Sequence, residues 1–189
     1  MSGFTVFVEG VADQKFIQDV IETHFDQPQK LNIQIKFFGG KDKWHLAKED
    51  FRKSVNAGKT NLLIFDADND PKKRREEIEE KKTELGIEFA LFLFPNDRNS
   101  GELEDLLLQI CSDKAPAIFG CFETYKDCIR QIDHDYTKPD LKTKLYAYSE
   151  ITTGNGKEKE RDYKNPENWD LKSETLTPLL SFLKRHLKE

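Results

Sequence analysis

The sequence predicts an α/β protein, a mostly parallel β-sheet flanked by helices with a helical C-terminal extension. Short apolar runs at 4–8, 31–38, 60–65 and 88–94 alternate with segments whose apolar residues recur at helical spacing. Strand-helix-strand-helix order of this kind builds parallel sheets, because each helix carries the chain back across the sheet. The chain has 189 residues, including 14 Phe, enough for one α/β domain with a substantial core and a short appended element.

The first strand, 4–8, runs straight into Glu9-Gly10, where the glycine allows a tight turn. Phe16, Ile17, Val20, Ile21 and Phe25 then mark one face of a helix. Asp13 lies three and four residues before Phe16 and Ile17, over that buried face. It reads either as a metal ligand or as a first-turn acid favoured by the helix dipole. Alternation over 31–38 gives the second strand, ended by Gly39-Gly40, which permit close backbone approach. Trp44, Ala47, Phe51 and Val55 carry the next helix, which ends near Gly58.

The third strand, 60–65, leads into Asp66-Ala67-Asp68-Asn69-Asp70-Pro71, the most informative segment of the chain. Ligands of open α/β sheets bind at the carboxyl ends of strands. Two acids at i and i+2 of extended chain point to the same side, roughly 6.5 Å apart. Asp70 before Pro71 is a good N-cap with proline at the first helical position. Capping needs one acid of the three, which leaves Asp66 and Asp68 as metal candidates. The string approaches a calcium loop, with Asp66, Asp68 and Asp70 at alternate positions and Glu77 in the place of the bidentate acid. Pro71 stands where that loop needs its glycine turn, and a strand-like run rather than a helix enters it. The following helix carries Lys72-Lys73-Arg74-Arg75 and Lys81-Lys82 interleaved with four glutamates. It reads as a solvated helix burying only Ile78 and Leu85, with Gly86 as its C-cap.

After the fourth strand, 88–94, a polar loop leads to a short helix rich in leucine. Asn99 and Glu102 have the spacing of a capping box, and Asp105 faces partly outward. Leu107 and Leu108 draw Glu104 toward the packed side, where an unpaired carboxylate is expensive. Beyond Ile118 the segments 122–132 and 141–151 read as helices and 152–168 as a polar loop. Thr177-Pro178 opens a last helix packing Leu179, Leu180, Leu183 and Leu187 inward. The expected organisation is a metal-binding core over 1–115 and a mainly helical extension over 116–189, packed on it as one compact domain.

Net charge is −5, from 30 basic and 35 acidic residues, which argues against nonspecific nucleic-acid binding by overall charge. No segment reads as a membrane span, and the start lacks the basic and apolar regions of a secretory signal, so the cytoplasm is the expected location. Cys111, Cys121 and Cys128 lack metal spacing, and His24, His45, His134 and His186 are scattered. A zinc site is therefore not expected. The hard carboxylates suit magnesium, or manganese, instead.

A strand ending in Val8-Glu9-Gly10, an acid at Asp13, and a later strand ending in Asp66-Ala67-Asp68 resemble the two motifs of the Toprim domain. The likeness covers the first two thirds of the chain and implies a Rossmann-like, Toprim-like sheet. Toprim domains occur in topoisomerases, bacterial primases, small ribosomal-RNA-maturing ribonucleases and OLD-family nucleases. Asp13 makes this chain most similar to the OLD-like branch and to short uncharacterised bacterial proteins grouped with it. The resemblance implies a divalent-metal-dependent nuclease, with Glu9, Asp66 and Asp68 on a first ion and Asp13 and Glu104 on a second. Glu9 would also pass a proton, and a late lysine, Lys142 or Lys144, would steady developing charge. The implied substrate is nucleic acid, DNA ahead of RNA. No Gly-x-x-x-x-Gly-Lys loop is present, so the ATPase of OLD-type enzymes is expected, if anywhere, on a separate chain of a defence system. The rival reading is a noncatalytic metal-binding or partner-binding module of a defence or repair complex. Asp-x-Asp also occurs in phosphoryl-transfer and nucleotide-sugar enzymes, a reading that leaves Glu9-Gly10 unexplained.

Overall fold

The computed structural model describes residues 3–39, 43–132 and 139–187. Gly40 and His134 fall outside them. Among the described residues, four strands form one all-parallel sheet: β1 (Gly3–Val8), β2 (Ile33–Phe37), β3 (Lys59–Asp66) and β4 (Ala90–Phe94), in the order β2-β1-β3-β4. Seven α-helices flank it: α1 (Val11–His24), α2 (Trp44–Asn56), α3 (Pro71–Leu85), α4 (Leu103–Gln109), α5 (Ala115–Ile132), α6 (Leu141–Thr153) and α7 (Thr177–His186). The expected α/β class is the observed one. Among the described residues, no helix is long and apolar enough to cross a membrane.

β1, β3 and β4 read as unbroken apolar runs because both faces of the sheet are covered there, whereas the edge strand β2 alternates and is only partly buried. Val6, Val8, Leu62, Ile64, Phe92 and Phe94 pack with α1, α4, α6 and α7. Phe7, Leu63, Phe65, Leu91 and Leu93 point the other way, into α2 and α3. On that side Phe7 stacks on Phe51 with centroids 4.0 Å apart, and Ser54 donates a hydrogen bond to Thr5 across 2.7 Å.

Several expectations are corrected. Val55 is 51% exposed, because α2 turns it away from the sheet. The helix expected over 122–132 begins at Ala115, whose side chain is buried in the core. Leu85 is only partly buried on α3, whereas Arg74, expected in solvent, is buried. The 152–168 segment is more than a polar loop. It contains a 3-10 turn at Glu158–Glu160 and lays Tyr163 over α1, edge-on to Phe16 at 5.3 Å and tilted against Trp169 at 5.1 Å. Asp19 fixes this segment by accepting from the Tyr163 backbone N–H at 3.0 Å and from Lys15 at 2.6 Å.

Candidate metal centre

The strand order places the reversal of winding between β1 and β3, since the chain goes from β1 to β2 on one side and then returns to β3 on the other. At such a switch point the loops leaving the two strands part and open a crevice at their carboxyl ends. Glu9 leaves β1 there, and Asp66 is the last residue of β3.

Gly10 caps α1 with extended backbone, φ −138°, so left-handed freedom is not what the position uses. Its use is close approach: a Cβ there would stand 3.3 Å from Asp13 Oδ2. That oxygen accepts from the Gly10 backbone N–H at 3.1 Å, the first-turn role open to Asp13 from sequence. The other oxygen, Oδ1, is buried and has no hydrogen-bond partner among the described residues. Asp13 is 7% exposed, so half of its carboxylate serves the helix and half is unsatisfied in the interior.

Asp70 caps α3 as expected, its Oδ1 accepting from the backbone N–H groups of Lys72 and Lys73 at 3.0 Å each. Asp66 is bound to another helix. Its Oδ1 accepts from the Leu103 backbone N–H at 2.9 Å, so it caps α4 across the crevice. The extended-chain geometry foreseen for Asp66 and Asp68 does not hold, because Asp68 turns into the left-handed region at φ +53°. Its carbonyl accepts from Gly101 N–H at 2.8 Å, which ties the β3 loop to the segment entering α4.

The capping box foreseen at Asn99 and Glu102 lies three residues later. Glu102 is itself the N-cap, and Asp105 accepts from its backbone N–H at 2.8 Å. Gly101, at φ +135°, is required here, since a Cβ would stand 2.6 Å from Asp105 Oδ2. With Asp105 serving the helix, the Glu102 side chain stands beside Glu104 and Asp66. One carboxylate oxygen from each of Asp66, Glu102 and Glu104 lies within 4.8 Å of the other two. Oxygens on opposite sides of a magnesium ion stand about 4.2 Å apart, so small side-chain rotations bring these three to one cation. Glu102 was not foreseen as a ligand, because its spacing from Asn99 matched a structural motif.

The charge balance of the crevice fits a cation. Burial, then the charges of Glu104 and Glu9, push the Asp13 carboxyl up to about 7. Burial, followed by the charges of Asp13 and Glu9, pushes Asp66 up to about 8, against the Leu103 hydrogen bond. Glu104, 5% exposed, is raised by burial and held back by Lys142, whose Nζ stands 3.7 Å from its Oε1. Burial lowers the Lys142 ammonium, but Glu104, Glu102 and Asp66 outweigh it and raise it overall. Lys144 is placed elsewhere: it pairs with Glu123 at 3.0 Å and sits 4.7 Å from the centre of the Phe119 ring. Arg74 enters from α3, with Nε 3.6 Å from Asp68 Oδ2 and Nη2 3.8 Å from Glu9 Oε2. Glu9, Asp13, Asp66, Asp68 and Glu104 thus lie around one crevice, joined by Glu102, Lys142 and Arg74.

Residues 4–188 match the family model described as Protein of unknown function (DUF3226). The chain belongs to this family. No curated protein and no solved structure matches it.

Proposed function

We propose that this DUF3226 protein is a divalent-metal-dependent nuclease or phosphodiesterase of Toprim type, closest to the OLD-like branch. The observation that carries the reading is the set of acids at the switch point, with Asp66, Glu102 and Glu104 offering oxygens within 4.8 Å of one another. Two unit negative charges 4 Å apart repel by about 4 kcal/mol at an effective dielectric of about 20. The buried Oδ1 of Asp13, without a hydrogen-bond partner among the described residues, adds a further oxygen. All the donors are carboxylates, which suits magnesium or manganese.

Asp66, Glu102 and Glu104 would hold one ion, and Glu9 and Asp68, with Asp66 between the two groups, a second. Asp13 would complete the ring from α1. When bound, such ions activate a water for in-line attack and steady the leaving oxygen. Glu9, partly exposed at the end of β1, would take a proton from the attacking water. Lys142, with a side chain 57% exposed and 3.7 Å from Glu104, would meet charge developing on the phosphoryl oxygens. Nucleic acid, DNA ahead of RNA, is the substrate class this chemistry implies, with a separate ATPase or defence-system chain as a candidate partner.

The test is cleavage of single-stranded, duplex and nicked DNA and of RNA, with magnesium and with manganese. Cleavage is expected, and Asp68→Asn and Glu104→Gln should each abolish it while the variants melt cooperatively. A protein that binds the metals and cleaves none of these substrates is a binding module of a defence or repair complex instead.

A further inference from the structure

Of the basic run on α3, Lys72 and Lys73 are exposed, Arg75 is partly buried, and Arg74 is buried at 8% exposure. Its guanidinium stands against the Phe65 ring, with Cζ 5.7 Å from the centroid. Nε and Nη2 approach Asp68 and Glu9 at 3.6 and 3.8 Å, close enough for ion pairing and too far for hydrogen bonds. Neither nitrogen has a hydrogen-bond partner among the described residues. Arg75, by comparison, reaches Asp97 at 2.6 Å and Lys36 reaches Asp50 at 2.8 Å, while the exposed Lys73 stays 3.9 Å from Glu77.

A buried donor left without a hydrogen bond is costly, and more so when it is charged. Nε and Nη2 also form one edge of the planar group, the edge that meets two oxygens of a phosphate or carboxylate in parallel. We propose that Arg74 is the phosphate receptor of the site, its Nε–Nη2 edge taking two oxygens of the substrate's phosphoryl group. The assignment rests on the phosphodiesterase reading and names the residue that receives the anion. It also answers a difficulty of that reading, because a crevice ringed by acids repels a phosphodiester. Arg74 is the buried cation on the Glu9 and Asp68 side, and Lys142 is the exposed one beside Glu104.

The experiment titrates inorganic phosphate into the full chain loaded with manganese, following phosphorus line broadening by the ion and checking affinity by calorimetry. Wild-type protein should bind phosphate, and Arg74→Met should weaken it at least about tenfold without weakening manganese binding. Arg74→Lys keeps the charge but loses the fork, so it should weaken phosphate by more than about twofold. Phosphate affinity within about twofold of wild type in either folded variant overturns the assignment, as does a wild-type protein that binds no phosphate. Should Arg74→Met not melt cooperatively, Arg74→Lys carries the comparison alone. Phosphate binding that depends on Arg74, without cleavage of any nucleic acid, overturns the nuclease reading and leaves the receptor standing. Cleavage with phosphate binding indifferent to Arg74 does the reverse, and a wild-type protein that binds no manganese sinks both.

Discussion

At the scale of single residues, the informative quantity is where each carboxyl keeps its proton. Asp13 and Asp66, at about 7 and about 8, hold protons in the folded protein that the unfolded chain releases near the ordinary 3.8. The unfolded state therefore binds fewer protons between those limits, and stability falls with rising pH there. Their contribution is fully present below about 3.8 and is lost as pH climbs through 7 and 8. Metal-free protein in chelator should accordingly melt at progressively lower temperature from pH 5 to pH 8.5, a range of about the stated shifts. Asp66→Asn removes one of the two titrations and part of the mutual repulsion, so its melting temperature should fall less steeply and exceed wild type at the alkaline end. Equal slopes for the two proteins would show that Asp66 does not carry the buried proton.

At the scale of elements, α4 is the piece on which the site depends. This seven-residue helix is held at its N-terminus by Asp66 on Leu103 N–H and by Asp105 on Glu102 N–H. Asp105→Ala should cost about 1 kcal/mol of stability, the usual worth of a capping interaction. It should also weaken magnesium binding, because Glu102 and Glu104 flank the freed turn, and calorimetry of the folded variant reads this directly. Unchanged magnesium affinity would detach α4 from the proposed cation site. The same helix shows what sequence conveys and what it does not. Strands buried on both faces leave continuous apolar runs, so β1, β3 and β4 and the acids at the ends of β1 and β3 are visible. Two capping patterns overlap at Asn99, Glu102 and Asp105, and only the left-handed turn at Gly101 decides between them. The burial of Arg74 was hidden by the charges around it. Its signal was present all the same: Arg74 lies four residues before Ile78, on the face of α3 that meets the sheet. Tyr163 and Trp169 left no signal, because single aromatic residues in an irregular segment show no period.

At the scale of the whole molecule, the site joins parts that are far apart in the chain: the β1 and β3 ends, α1, α3, α4 and, through Lys142, α6. A cation held by these acids would bind the folded protein and find no comparable site in the unfolded one, so it would stabilise the entire cooperative unit. At a hundredfold excess over its dissociation constant the gain is about 2.7 kcal/mol. For a chain of this size that corresponds to a rise in melting temperature of roughly 5–10 °C, taking about 2–4 °C per kcal/mol. Magnesium or manganese should therefore raise the melting temperature, and the rise should be larger at pH 8 than at pH 5, where protons on Asp13 and Asp66 compete with the ion. Asp66→Asn should lose most of the gain, since Asp66 offers an oxygen beside Glu102 and Glu104 and also feels the charges of Asp13 and Glu9. Asp97→Asn is the matched control. Asp97 is an acid that follows β4 at the carboxyl end of the same sheet, but it pairs with Arg75 at 2.6 Å and accepts from Leu93 N–H at 3.0 Å, so it should keep the full metal response. A shift absent with magnesium, manganese and calcium alike, or one that Asp97→Asn removes as readily as Asp66→Asn, would mean that the acids at the switch point do not form a cation site.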